Sequence, residues 1–173
     1  MNYDIVIAGA GPAGIGAALE AARSGLKVAL IERYGCVGGN LTQGYVGPLL
    51  GKVCEGTIAE EIEAAICAKR GAVPDFEKAK IALTALLDEA GVDVYLQTCV
   101  ISAEKVGEKI EKIETAGKFG NISFEADVFV DATGDGDIAA RAGAEFVLGR
   151  ESDNKMQPAT LMFKVGGVDC SRA

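Results

Sequence analysis

The 173-residue chain contains no histidine and no tryptophan. Without an imidazole it lacks the side chain that changes charge nearest neutral pH, which excludes a histidine proton donor and a histidine metal ligand. Cationic residues are also short: 17 Lys and Arg stand against 25 Asp and Glu, for a net charge of −8. No basic run is present, so a nucleic-acid partner is excluded. Five cysteines (Cys36, Cys54, Cys67, Cys99 and Cys170) form no CxxC pair and leave one over under any bridging scheme, which points to a reducing, cytoplasmic setting. No Cys or carboxylate cluster has metal-ligand spacing. No run is long and apolar enough to span a bilayer. The apolar N-terminus is not read as a secretory signal: it has no basic n-region, and it carries Asp4 and Pro12.

What the chain has is glycine, 23 residues of it, in a composition that is 49% hydrophobic. That combination suits an α/β domain with many close backbone approaches. Residues 4–8 are a short apolar run that ends in glycines, residues 13–24 are Ala-rich, and residues 26–32 are apolar again: strand, helix, strand, with Gly25 as the helix stop. Residues 33–55 show Gly and Pro punctuation without periodicity and are expected to form a long ordered loop. A helix is expected from Thr57 to Gly71, opened by a capping box with Glu60, and a second from Asp75 to Gly91 with a stripe that includes Ala79, Leu83 and Leu87. Short strands follow at 92–96, 99–106, 109–115 and 118–124, the last three as an antiparallel meander. A separate apolar strand at 128–131 then runs into ATGDGD, followed by a short helix at 138–142 and weak strand signals at Phe146 and 161–165. There is no internal repeat or low-complexity tract.

Gly9-Ala10-Gly11-Pro12-Ala13-Gly14 lies between the first strand and the first helix, and Glu32 ends the second strand. Each element of a dinucleotide site is present. Gly9 permits the tight turn, Gly11 lets a diphosphate approach the backbone, and Gly14 lets the helix pack on the strand. The helix N-terminus supplies N–H donors and partial positive charge. Glu32 stands where a carboxylate accepts from ribose hydroxyls and repels an added phosphate.

These features fit NAD or FAD alike. The long Gly-rich loop, two helices and meander that follow resemble the glutathione-reductase-type FAD-binding domains, most closely an FAD-dependent oxidoreductase family, through ERYGCVGGNLTQGYVGP (32–48) and VDATGDGDIAARAGAEF (130–146). The resemblance covers essentially the whole chain. It implies a Rossmann-like parallel sheet with helices on its faces and a three-stranded β-meander crossover. It implies that Gly9, Gly11, Pro12, Ala13 and Gly14 hold the FAD diphosphate, and that Glu32 and Arg33 hold the adenosine ribose side. Gly38, Gly39, Asn40 and Leu41 would meet the diphosphate and flavin end, Val100 the adenine through its backbone, and Ala132, Thr133 and Gly134 the adenosine half. With no histidine, a histidyl flavin linkage is excluded, so the FAD is expected to be non-covalent.

Asp137 is expected to cap the short helix rather than face the cofactor, and Cys36 to be a small buried thiol rather than a redox centre. Residues 1–173 read as one FAD-binding domain that is expected to be incomplete, with 150–173 leading toward a substrate domain; such a chain is expected to be inactive alone and to associate with itself or with a completing chain. The function implied is to hold FAD for hydride or electron transfer with a small substrate that the sequence does not identify. An NAD-binding dehydrogenase domain and a stand-alone FAD-binding module remain alternatives, the first separable by the visible absorbance of bound flavin.

Overall fold

The computed structural model describes residues 1–66, 73–169 and 171–172. Strand β1 (Asn2–Ala8) leads into helix α1 (Pro12–Arg23) and strand β2 (Val28–Ile31). Proline at the first helical position costs no hydrogen bond, and Gly25, at φ +86°, turns the chain away after the last turn. The four residues of β2 are all buried, as expected of a parallel strand covered on both faces. A 3-10 turn (Gly39–Leu41) interrupts the long loop.

Helix α2 (Ile58–Ala65) is capped by Thr57, whose hydroxyl accepts from the Glu60 N–H, while the Glu60 carboxylate accepts from the Gly56 N–H at 2.7 Å. It ends sooner than its sequence pattern suggests, with Ile66 as its C-cap; the expected stop at Gly71 lies outside the described residues. Helix α3 (Phe76–Glu89) is capped by Asp75, which accepts from the Glu77 and Lys78 N–H groups, and buries Ala79, Leu83 and Leu87 as its spacing requires.

Strands β3 (Asp93–Tyr95), β4 (Thr98–Val106), β5 (Lys109–Gly117) and β6 (Gly120–Asp131) complete one mixed six-stranded sheet in the order β3-β2-β1-β6-β5-β4. The separate strands expected at 118–124 and 128–131 are a single strand. Its first half pairs antiparallel with β5 and its second half parallel with β1, and Glu125 belongs to both ladders, opposite Lys112 on one side and Asn2 on the other. The polar residues Glu125 and Asp127, which suggest a break in the sequence, are exposed side chains on a continuous backbone. No strand forms at Phe146 or at 161–165. Those apolar side chains lie exposed in irregular backbone, without the partner ladder a strand requires.

Helices α1, α2 and α3 pack on one face of the sheet around Ile7, Ile15, Leu19, Leu30, Leu83 and Leu87. The other face is covered by the meander itself and by the short helix α4 (Asp137–Arg141), with Val6, Ala29, Ile31, Val100, Ile113, Phe124 and Ile138 in contact. The sheet must curl to achieve this. Tyr95 of β3 and Phe124 of β6 have ring centroids 4.9 Å apart, although β2 and β1 lie between their strands. Tyr3 joins the same cluster, its hydroxyl donating to Asp93 at 2.8 Å; burial, then the hydrogen bonds it shares with Tyr95 and Asp93, hold it protonated far above the ordinary tyrosine range. Among the described residues no helix is long and apolar enough to cross a membrane.

Phe124 is wholly buried and Phe119, at the β5–β6 turn, is 88% exposed. Phe124→Ala is therefore expected to lower stability by about 3–5 kcal/mol, and Phe119→Ala to change it by no more than about 0.5 kcal/mol. Urea unfolding followed by circular dichroism measures both; equal losses would mean that the curled sheet is not what buries Phe124.

Candidate functional site

The C-terminal ends of β1, β2 and β6 and the start of β4 enclose an open cleft of about 570 Å³. Three loops build it, and they meet backbone to backbone. Gly9 (φ +94°) must be a glycine, since a Cβ there would sit 2.5 Å from the Ala132 carbonyl oxygen. The Gly9 N–H donates to the Ile31 carbonyl at 2.7 Å and the Ala132 N–H to the Ala8 carbonyl at 2.8 Å, which fixes this approach. A Cβ on Gly14 would lie 1.8 Å from the Gly9 oxygen, so helix α1 can sit on its own entry turn only with glycine there. The long loop is fastened on top. The Gly38 N–H donates to the Ala10 carbonyl at 2.7 Å, and a Cβ on Gly39 (φ +53°) would lie 2.9 Å from Gly11 Cα.

Gly11 differs from these. Its φ of −74° suits any residue, and a Cβ added to it meets nothing within 4 Å. The space beside it belongs to the cleft. No side chain caps α1, so the first-turn N–H groups of Ala13 and Gly14 are left to whatever the cleft holds, at the end of the helix that favours an anion.

Glu32 is buried, 5% exposed, at the end of β2. One carboxylate oxygen accepts from the Ala10 N–H and the other from the Tyr34 N–H, both at 2.8 Å. Each oxygen keeps a second lone pair, and the side chain lines the cleft. Beside it Arg33 lies 4.9 Å from the Tyr34 ring centre and 3.8 Å from Asp135 on the opposite loop. Burial lowers the Arg33 pKa, and Tyr34, Asp135 and Asp137 outweigh that effect, so its guanidinium stays charged.

The third loop is organised by Asp131, a residue the sequence reading does not single out. Its carboxylate accepts from the Thr133 N–H at 3.1 Å, the Thr133 hydroxyl at 2.7 Å and the Ala139 N–H at 2.8 Å. The Thr133 hydroxyl accepts from the Asp137 N–H at 2.8 Å. Asp131 and Thr133 thus do the capping expected of Asp137. The N-cap itself is Gly136 (φ +68°), and Asp137 is the first residue of α4, paired with Arg141 at 2.7 Å and lining the cleft.

All the sequence-derived site residues line this cleft except Gly14, Gly38 and Leu41. Gly14 and Gly38 set backbone contacts, the latter with Thr42 where its Cβ would fall, and Leu41 is a core residue. Val100, at the start of β4, shares the far end of the cleft with Thr98 and Cys99. Cys36 is half-buried rather than buried, its thiol donating to Gln43 at 3.1 Å. Gln43, Tyr34 and Arg141 also face the cleft and were not foreseen; only Arg141 left a trace in sequence, four residues after Asp137 on a helix. Among the described residues no group of His, Cys, Asp or Glu could hold a metal ion.

A family model described as FAD dependent oxidoreductase matches residues 4–173. Soluble pyridine nucleotide transhydrogenase from Ectopseudomonas mendocina is 56% identical over 41 residues, 24% of this chain and 9% of its own length. The transhydrogenase from Pseudomonas savastanoi pv. phaseolicola is 42% identical over 62 residues, 36% of this chain and 13% of its own. The matches thus span about a tenth of those relatives. Among solved structures, THI4 of Thermovibrio ammonificans aligns with a TM-score of 0.66 at 21% identity over 87% of this chain and 67% of that one. A flavoprotein/dehydrogenase from Cytophaga hutchinsonii aligns with a TM-score of 0.66 at 23% identity, over 87% and 44%. Both likenesses concern the fold.

The two motif glycines separate packing from ligand space. Gly14→Ala forces a Cβ against the Gly9 carbonyl and is expected to destabilise by about 1–3 kcal/mol, whereas Gly11→Ala is expected to leave stability within about 0.5 kcal/mol of the parent. Thermal unfolding of the two variants without added ligand checks the contrast; equal losses would contradict the open space beside Gly11.

Proposed function

Since the chain belongs to the FAD-dependent oxidoreductase family, whose model runs over residues 4–173, we propose that the cleft holds FAD without a covalent bond and that the protein is an oxidoreductase acting on a small substrate. FAD is the cofactor of this family, and it supplies hydride and electron transfer at its isoalloxazine ring when bound. The observation that carries the placement is the vacancy for a side chain at Gly11, beside an uncapped helix start and one β-strand away from a buried carboxylate.

From there the roles follow by chemistry. The N–H groups of the first turn of α1 receive the diphosphate. The remaining lone pairs of Glu32 accept from the ribose hydroxyls, and its negative charge opposes an additional phosphate on that ribose. Because Glu32 is already fixed by Ala10 and Tyr34, it needs no reorganisation to do so. The adenine then extends away from α1 toward the Val100 end of the cleft, between the Arg33 loop and Ala132, Thr133 and Gly134. In the other direction the cleft passes Gly39 and Asn40, which lie over Gly11 and border the flavin end. Gly14, Gly38 and Leu41 hold this frame from behind.

The NAD reading gives way to FAD on the family match. A pyridine nucleotide as electron partner, which the names of the transhydrogenases suggest for those proteins, has no support in a match that spans so little of them, and the substrate stays open at the level of a small molecule. A reducing, cytoplasmic setting is part of the proposal; the odd number of cysteines and the lack of any CxxC pair in the sequence support it.

Purified protein is expected to be yellow and to release its flavin to the supernatant on acid precipitation. Gly11→Val is expected to abolish FAD binding, by fluorescence titration, with the far-ultraviolet circular dichroism unchanged, because its side chain fills ligand space. Colour retained in the acid pellet would disprove the non-covalent mode, and parental affinity in Gly11→Val would remove the diphosphate from α1.

A further inference from the structure

Resting on that placement of FAD, we infer that Arg141 is an adenine-binding residue, its guanidinium presenting a flat face to the base. Arg141 ends helix α4, which packs on β4, and it lines the cleft together with Cys99 and Val100. With the diphosphate at α1 and the ribose at Glu32, this is where the base must lie. Arg33 and Arg141 are the two cations among the lining residues.

The way Arg141 is held decides what it can offer. Its Nη1 donates to the Asp137 carbonyl at 3.0 Å and to the Asp137 carboxylate at 2.7 Å. One edge of the guanidinium is thereby occupied and its charge offset by a paired carboxylate, so it is poorly suited to serve as a phosphate clamp. Its planar π face is not used by these bonds. Purine bases stack on guanidinium planes as they do on aromatic rings; the aromatic ring in the lining, Tyr34, has the Arg33 guanidinium 4.9 Å from its centre, so one of its faces is taken. Asp137 acts as a positioning residue for Arg141, through the same i, i+4 pair that its sequence spacing sets up. Both side chains are about one-third exposed, so the pair contributes little to folding.

The test compares the protein with Arg141→Gln and Arg141→Lys, titrated with FAD and, on flavin-depleted protein, with ADP. Stacking predicts that both variants bind FAD about 5–30-fold more weakly, a loss equal to one base stack of ~1–2 kcal/mol, and that ADP is weakened by the same factor while the unfolding temperature of the apoprotein is unchanged. Full affinity in both variants overturns the inference. So does full affinity in Arg141→Lys alone, which would make the contact one of charge, or a loss for FAD that ADP does not share, which would move the contact away from the adenylate half. Failure of the parent protein to bind FAD would instead overturn the placement on which the inference rests, and that result is read from the unmutated protein in the same titration.

Discussion

Everything in the cleft depends on three stretches of backbone lying closer together than side chains allow. Gly9 lies against Ala132, Gly14 against Gly9, and Gly39 against Gly11. Each contact is made by a residue without a Cβ, and two of the three, Gly9 with Ala132 and Gly39 with Gly11, join segments far apart in sequence. Their closeness brings a helix start, a buried carboxylate and the end of a central strand to one place. The cost is conformational: glycines lose more freedom on folding than other residues. The hydrogen bonds from Gly9, Gly38 and Ala132 to neighbouring carbonyls offset part of that loss. A site assembled in this way is rigid where backbone meets backbone and tolerant elsewhere.

Carboxylates finish what the glycines begin. Glu32 ties the first loop to the turn after β2, and Asp131 ties the end of β6 to α4. Both accept backbone N–H groups, which fastens the loops to the strand ends. An acidic chain can therefore form a site for an anionic ligand, since these charges are spent on the protein's own donors while the uncapped helix start faces the cleft.

The βαβ unit and its glycines were legible because their chemistry is local: a tight turn, a helix start and a strand end within thirty-odd residues of sequence. Helix caps at Thr57 and Asp75 were legible for the same reason. The continuity of β6 was not, since Glu125 and Asp127 read as a break until the two neighbouring strands that hold the backbone are known. Asp131 was passed over because two of its three partners are backbone N–H groups, which leave no pattern in sequence. Asp137 was misassigned for a related reason: with a left-handed glycine before it and Thr133 already in place, its side chain was released to pair with Arg141. Gly14 and Leu41 carry the right motif positions but do not line the cleft: one packs α1 on its entry turn and the other joins the core.

The position of β6 also sets an order of events during synthesis. Strand β1 is made long before one of its two neighbours: the Met1 amino group bonds the Ser123 carbonyl, 122 residues on. At roughly 5–20 residues per second, the ribosome takes on the order of 6–24 s to supply that neighbour. Through that interval the edge of β1 that β6 covers in the folded protein has no partner strand.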